Sequence, residues 1–370
     1  MTELYIGLMS GTSADGIDAT LVEIPSDNQT RLLGHLETPH PAEMRAAILE
    51  LCQPGDNEIE RLGQLDHQLG QAFAQAALQL LEQLSISPAE VTAIGSHGQT
   101  VRHRPKGSVA HPFTLQIGDP NLIASLTEIT TVADFRRRDM AAGGEGAPLA
   151  PAFHQAAFGS PREKRVIANI GGIANVTDLT SHESTAGFDT GPGNALMDGW
   201  IQRHQHRTYD RDGEWARSGQ INTALLQRLL AHPYFAAPPP KSTGRETFHM
   251  RWLDEQLALL ATPVSAQDVQ ATLLELTASS LVDAVKSRIP NYDALYICGG
   301  GALNTTLMER LRHLSSKPVT STAELGIDPQ QVEGAAFGWL ARQTLHRQPG
   351  NSPAATGAKK AVILGGIYPA

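Results

Sequence analysis

The chain has 370 residues, 41% of them hydrophobic and 34 of them glycine, with 29 basic and 38 acidic side chains for a formal charge of −9. That length exceeds what one hydrophobic core usually organises, so a two-domain α/β enzyme rich in tight turns is expected. The acidity argues against nucleic acid and anionic membrane surfaces as partners, no apolar run approaches a membrane span, and Cys52 and Cys298 form neither a metal-ligand spacing nor a disulfide framework, which together predict a soluble, cytoplasmic protein.

From Tyr5 to Ile24 a short apolar run breaks into small and hydroxyl residues and returns to alternating apolar positions at Ala19, Leu21 and Ile24. This is the pattern of two strands joined by a turn. Gly7, Gly11 and Gly16 let the backbone approach a ligand, and Ser10, Thr12 and Ser13 add hydroxyl donors. Asp15 and Asp18 add carboxylates of the kind a phosphate-bound metal needs. Taken alone, an ordinary hairpin with a polar loop has the same look. Pro39 to Leu51 begins a helical segment, and Arg61 to Leu84 is a stronger helix whose stripe Leu62, Leu65, Leu69, Phe73, Ala76, Leu80 and Leu84 is core packing. Val91 to Gly95 reads as a short buried strand that releases Ser96-His-Gly-Gln-Thr100 at its end, where open α/β sheets place ligand contacts. His97 is either such a contact or a satisfied structural histidine. A strand and turn at Thr114 to Pro120, a short helix at Asn121 to Leu126 and a strand at Thr130 to Asp134 follow. Arg136, Arg137 and Arg138 are either a solvated corner or a bidentate partner for a carboxylate. They precede the glycine-rich, hinge-like stretch Ala141 to Leu149, and a lobe boundary is placed around residues 130–150.

Lys164 to Leu179 repeats the grammar of strand, glycine turn and strand. Two such units half the chain apart suggest a duplicated fold whose lobes each point a hairpin at a shared cleft, a way to grip a polyphosphate without a P-loop. No Walker-type glycine–lysine motif occurs in the chain. Gly187-Phe-Asp-Thr-Gly-Pro-Gly-Asn194 is denser than helix capping requires, which makes Asp189 the first choice for a catalytic carboxylate. In the proline-rich run from Phe235 to Arg245, the residues Lys241, Ser242, Thr243 and Arg245 are donors to a bound phosphate or sugar, or only border the cleft. Val269 to Arg288 is a long helix, and the strand Asp293 to Cys298 ends in Gly299-Gly-Gly-Ala-Leu-Asn304, on which a flat nucleotide face can lie. The helix from Glu333 to Ala341 has small residues on one side, as at an interlobe crossing. Residues 347–360 read as a polar linker and Ala361 to Tyr368 as a closing strand and turn.

Gly7-Leu-Met-Ser-Gly-Thr-Ser-Ala-Asp-Gly-Ile-Asp18 closely resembles the opening motif of the anhydro-N-acetylmuramic acid kinases, members of the actin, sugar-kinase and heat-shock-protein ATPase superfamily. Ser96 to Thr100, Asp134-Phe-Arg136 with the following Ala-Ala-Gly-Gly run, Asn169 to Asn175, Phe188 to Asn194, Lys241 to Glu246, Cys298 to Asn304 and the Glu333 helix resemble the family's other motifs in the same order. Ala14 stands where a leucine is expected, and Glu145 where a glutamine is common.

The resemblance implies an α/β, two-lobed actin-like ATPase (ribonuclease H-like) fold, duplicated, with a nucleotide cleft between the lobes. Residues 1–131 and 353–370 would form the first lobe and 132–352 the second. It implies a kinase using ATP and Mg²⁺ that opens 1,6-anhydro-N-acetylmuramic acid with water and phosphorylates O6, giving N-acetylmuramic acid 6-phosphate and ADP in peptidoglycan recycling. Asp189 would be the base, with Glu333 helping to hold the water. Gly11, Thr12, Ser13, Ala14, Asp15, Gly16, Ile17 and Asp18 would contact ATP from the first hairpin, with Asp15 on the metal. Asn169, Gly171, Gly172, Gly191, Gly193, Gly299, Gly300, Gly301 and Asn304 would do so from the second lobe. His97, Asp134 and Arg138 would contact the sugar, Arg138 being first choice of the three arginines for its lactyl carboxylate. A homodimer is the family expectation. An ordinary hexokinase-like sugar kinase, also using Asp189, and a non-catalytic actin-like ATPase are the alternatives.

Overall fold

The computed structural model describes residues 2–11, 13–25, 30–181, 185–239, 241–244 and 247–370. Contacts divide the chain into one unit of Met1–Ala157 with Gln331–Ala370 and another of Phe158–Gln330. The boundaries therefore differ from those expected: residues 132–157 and 331–352 pack with the first unit, not the second.

In the first unit β1 (Glu3–Ser10), β2 (Gly16–Ile24) and β3 (Arg31–Pro39) form an antiparallel meander. On the other side of β1 lie β4 (Val91–Arg104) and then β6 (Thr131–Ala133), both parallel to their inner neighbour. β5 (Phe113–Ile117) folds back on β4, and β12 (Gly366–Tyr368) closes the edge beside β6. In the second unit β7 (Arg165–Ile170), β8 (Ile173–Leu179) and β9 (Ala186–Pro192) form the same meander, and β10 (Ala294–Cys298) and β11 (Val319–Ser321) add in parallel on the far side of β7. Leaving aside β5 and β12, which add antiparallel to the first sheet, both sheets share a five-strand core in the order third, second, first, fourth, fifth with only its second strand reversed, which is the ribonuclease H-like order. The duplication read from the two hairpins is a duplication of the whole sheet, and the fold is the duplicated actin-like one.

Each unit has its own core. The long helix Glu58–Leu84 lays Leu65, Leu69, Phe73, Ala76 and Leu80 on the first sheet, as its apolar stripe demands. The helix Ala266–Arg288 is buried nearly all round. Its Glu275 is accommodated by Ser279 Oγ at 2.8 Å and Arg310 Nη2 at 2.9 Å. The helix Val332–Leu345 packs straight onto β1, β2 and β4 through glycine. A Cβ on Gly7 would lie 1.8 Å from the Gly334 carbonyl oxygen, and one on Gly95 2.0 Å from that of Phe337. The small residues of this helix therefore meet the sheet of their own unit, which corrects the expected interlobe crossing.

Two more expectations change. β4 does not stop at Gly95 but runs on to Arg104, so Ser96 to Thr100 lies within the strand and is mostly buried. Residues 347–360 are no loose linker, because Asn351 and Thr356 are buried against the Asp139 carboxylate. No helix among the described residues is long and apolar enough to cross a membrane.

Candidate active site

The turn between β1 and β2 is held from beneath by side chains. Ser10 is buried, and its hydroxyl meets Gln99 Oε1 at 2.6 Å, the Gly16 carbonyl at 2.8 Å and His40 Nε2 at 3.1 Å. Gln99 Nε2 donates to the Gly11 carbonyl at 3.1 Å, and the His40 amide donates to the Asp15 carbonyl at 2.9 Å. Ser10 is thus a clamp within the fold rather than a ligand donor, and Gln99 and His40, given no role of their own by the sequence, share that work. Gly16 is needed because a Cβ would lie 2.6 Å from the Thr38 carbonyl oxygen. Gly11 has open space beside it, its nearest neighbour being Ser13 Oγ at 3.6 Å. Ala14 and Ile17 are buried, backbone included, so neither residue of the expected ATP contacts faces outward. Thr12 lies outside the described residues.

Carboxylates gather on this turn. Asp15 is exposed, and its Oδ1 accepts from Ser13 Oγ at 2.8 Å. Asp18 is half-buried beside Glu37, its partner across β2 and β3. Burial, Glu37, Glu333 and Asp15, in that order, push the Asp18 carboxyl up to about 7. Glu333, exposed in the first turn of its helix, is therefore an electrostatic neighbour of Asp18.

The three arginines separate. Arg136 turns inward: Nε donates to His97 Nε2 at 3.0 Å and Nη1 to the Gly146 carbonyl at 2.8 Å. Burial lowers its pKa to about 10, with Glu333 and Asp139 opposing that fall, so it stays charged at neutral pH. His97 meets the Gly98 carbonyl through Nδ1 at 2.8 Å, and its ring packs on Phe337. Both ring nitrogens are engaged inside the unit, and burial and the Arg136 charge hold the ring neutral. The structure thus uses His97 as a strut, the structural alternative of the two. Arg137 Nε donates to Asp134 Oδ1 at 2.7 Å, which occupies the carboxylate expected to meet sugar. Arg138 is exposed and lines an open depression of about 350 Å³ with Lys360, Val362 and Ile363. Of the three, it is Arg136 that the fold brings to His97, and Arg138 stands apart from that pair. Nothing in the run of three arginines distinguishes them, since only the helix Phe135–Ala141 decides which one faces inward.

In the second unit the expected residues converge at the carboxyl ends of the parallel strands β7 and β10, where Cys298 is level with Asn169. Gly299 has φ of 78° and lies against Asn169, a Cβ there falling 2.2 Å from Oδ1, so only glycine fits. The Gly172 carbonyl accepts from the Gly193 amide at 2.9 Å, and the Gly171 carbonyl from the Asn194 amide at 2.8 Å. Gly171 and Gly300 have open space around them, whereas Gly193 and Gly301 are closed down on Gly171 and Ile170. Gly191 has φ of 151°, against the Phe235 ring. Asn304 spends its side chain on capping the helix Thr305–Leu314, accepting from the Leu307 amide at 3.0 Å.

Asp189 sits on β9, half-buried and opposite Asn175. Its Oδ2 accepts from the Thr243 amide at 2.9 Å, its carbonyl accepts from the Tyr234 hydroxyl at 2.8 Å, and its amide donates to the Lys241 carbonyl at 3.2 Å. Lys241 Nζ lies over the Tyr234 ring at 4.5 Å. Thr243, in the loop after the prolines, thus fixes the carboxylate, while Lys241 and, unmarked by any sequence pattern, Tyr234 hold the Asp189 main chain. Arg245 and Glu246 lie outside the described residues.

The family described as anhydro-N-acetylmuramic acid kinase matches residues 3–370. The chain is 56% identical over 367 residues to the anhydro-N-acetylmuramic acid kinase of Saccharophagus degradans, across 99% of this chain and 98% of that one. It is 53% identical over 369 residues to the enzyme of that name from Shewanella pealeana, at 99% and 98% coverage, and 51% identical over 370 residues to that from Pasteurella multocida, at 100% and 97%. Among solved structures, component A of the Acidaminococcus fermentans (R)-2-hydroxyglutaryl-CoA dehydratase aligns with a TM-score of 0.48 at 9% identity over 91% of this chain and 96% of that one. A ROK family glucokinase from Streptomyces griseus in complex with glucose and AMPPNP aligns with a TM-score of 0.40 at 13% identity, at 92% and 99% coverage. Those two likenesses are too distant to bear on function. A match over essentially the whole length, with relatives more than half identical, means that the chain belongs to the anhydro-N-acetylmuramic acid kinase family.

Proposed function

We propose that the protein is an ATP-dependent kinase that opens 1,6-anhydro-N-acetylmuramic acid with water and phosphorylates O6, yielding N-acetylmuramic acid 6-phosphate and ADP for peptidoglycan recycling. The observation that carries this reading is the full-length family match together with an Asp189 carboxylate fixed by a main-chain amide. Asp189 takes a proton from water, the water oxygen bonds to C1, the C1–O6 bond breaks, and O6 takes the γ-phosphoryl group as the bond to the β-phosphate oxygen breaks. Attack comes from the ring face opposite the bridge, as in inverting glycosidases. Glu333 helps hold the water. The Gly11 and Ser13 backbone and side-chain donors, and the open glycines Gly171 and Gly300, hold phosphate and nucleotide.

Mg²⁺ neutralises charge on the transferring phosphoryl group when bound. The donor set fits it: magnesium is usually held by one or two carboxylates plus the phosphates, and Asp15 and Asp18 would bring carboxylate oxygens to it from the β1–β2 turn. Asp15 is the proposed ligand. Arg138, exposed and without a side-chain partner among the described residues, is the proposed contact for the lactyl carboxylate. We also take the protein to be a cytoplasmic homodimer, as supported by the family resemblance alone. ADP release with 1,6-anhydro-N-acetylmuramic acid, compared with N-acetylmuramic acid and glucose, tests the reading. Turnover is expected with the anhydro sugar, and equal turnover with glucose would replace the reading by an ordinary sugar kinase.

A further inference from the structure

Asp139 has no part in the reaction described above, yet it is fully buried and surrounded by donors. Its Oδ2 accepts from the Gly146 amide at 2.8 Å, and its Oδ1 from Asn351 Nδ2 at 2.7 Å and Thr356 Oγ1 at 2.7 Å. Gly144 is pressed onto the same carboxylate, where a Cβ would lie 2.1 Å from Oδ2. A buried carboxylate is tolerated only when bonded or paired, so a site this complete holds something in place. What it holds is the glycine segment expected to be a hinge. The Gly144 amide donates to the Asp139 carbonyl at 2.9 Å, the Glu145 amide to the Thr356 carbonyl at 2.8 Å and the Lys359 amide to the Ala142 carbonyl at 2.9 Å.

Gly146 carries the effect onward, through the two peptide groups that meet at its Cα. Its amide is on Asp139 and its carbonyl receives Arg136 Nη1, while Arg136 Nε is on His97 and His97 Nδ1 is on the Gly98 carbonyl. Gly98 has φ of 73° and precedes Gln99, which grips Gly11 and Ser10. We propose that Asp139 is a positioning residue: through Gly146 it fixes Arg136 on His97, and His97 in turn holds the Gly98 carbonyl so that β4 presents Gln99 to the β1–β2 turn. This rests on the reading of that turn as the phosphate grip. An asparagine has one acceptor oxygen where the carboxylate has two, so it cannot accept from Gly146 and from Asn351 and Thr356 together, and Asp139→Asn is expected to shift Gly146 and loosen the hold of its carbonyl on Arg136.

The test joins kinetics to nitrogen NMR of the histidines. In the wild-type protein His97 must be neutral, protonated on Nδ1 and bare on Nε2, and must not titrate between about pH 5 and 8. In Asp139→Asn, turnover at saturating ATP and anhydro sugar is expected to fall about tenfold, and His97 to lose that signature. Arg136→Lys, which removes the Nε donor and keeps the charge, must change the His97 signature in the same way. A wild-type His97 that titrates in this range, or carries its proton on Nε2, overturns the proposal even if Asp139→Asn does not fold. So does a folded Asp139→Asn with turnover within twofold of wild type or an unchanged His97. Absence of wild-type turnover on the anhydro sugar would instead remove the kinase reading and leave the His97 result to stand by itself.

Discussion

The turn after β1 and the turn after β7 occupy the same place in two copies of one sheet, yet different atoms build them. After β1 the chain is held by side chains, with Ser10, Gln99 and His40 beneath and the carboxylates of Asp15 and Asp18 above. After β7 it is held by backbone, with Gly171 and Gly172 receiving the amides of Asn194 and Gly193. One copy carries charge, which the proposed function gives to a metal and phosphate, and the other carries close-fitting peptide planes, which it gives to a nucleotide. Duplication fixed where the turns lie, and the residues placed in them decided what each can hold.

The largest effect should come from the carboxylate on the third strand of the second sheet, a position for which the acidic first sheet offers no substitute. Asp189→Asn keeps the shape and removes the proton acceptor, so turnover should fall by about 10²–10⁴-fold, the usual worth of a general base. Nucleotide binding, measured by calorimetry, should persist. A variant with more than about a tenth of wild-type turnover would take the base role from Asp189.

The charge on the first turn should show in stability. Asp18 binds its proton more tightly folded, at about 7, than unfolded, at the ordinary aspartate value of 3.8. Its contribution to stability is therefore full below the unfolded value and is lost as pH rises through 7, up to about 4 kcal/mol in all. Asp18→Asn should remove this loss, raising the melting temperature of the unliganded protein at neutral pH and flattening its decline between about pH 4 and 7. A parallel decline in both proteins would mean that burial and the neighbouring carboxylates do not raise the Asp18 pKa.

Glycines sharpen the comparison further. Gly7→Ala drives a methyl into the Gly334 carbonyl and should cost about 3 kcal/mol or more by chemical denaturation. Gly300→Ala meets nothing nearer than Asn194 Nδ2 at 3.7 Å, so the fold should hold within about 0.5 kcal/mol while nucleotide affinity drops. The reverse pattern would exchange the structural and ligand-facing roles of the two glycines. The smallest effect is expected at Arg138, where alanine should raise KM for the anhydro sugar more than for an analogue lacking the lactyl group. Equal rises would assign Arg138 to structure or to phosphate.

Periodicity and glycine turns made both hairpins, the long helices and the convergence around Asn169 and Gly299 legible, because those features depend on neighbours close in sequence. The strut from Asn351 and Thr356 through Asp139 to His97 was not legible. It joins residues more than 200 positions apart, as Asp139 and Thr356 are at a separation of 217, and each looks like an ordinary polar residue in its own neighbourhood. Ser96 to Thr100 misled for the same reason. A polar run reads as a strand end, but here Ser10 and Arg136 satisfy Gln99 and His97 inside the sheet. The glycines of the Glu333 helix signalled close packing correctly, and only the partner surface, the sheet of their own unit, needed the fold.

In the proposed function one reaction both adds water at C1 and phosphorylates O6. Turnover of 1,6-anhydro-N-acetylmuramic acid in heavy-oxygen water, with the product mass read at early times, tests it most directly. The expected product is N-acetylmuramic acid 6-phosphate carrying one heavy oxygen from solvent, with one ADP formed for each product molecule. A phosphorylated product one water lighter, with its bridge intact and no solvent oxygen, would contradict it.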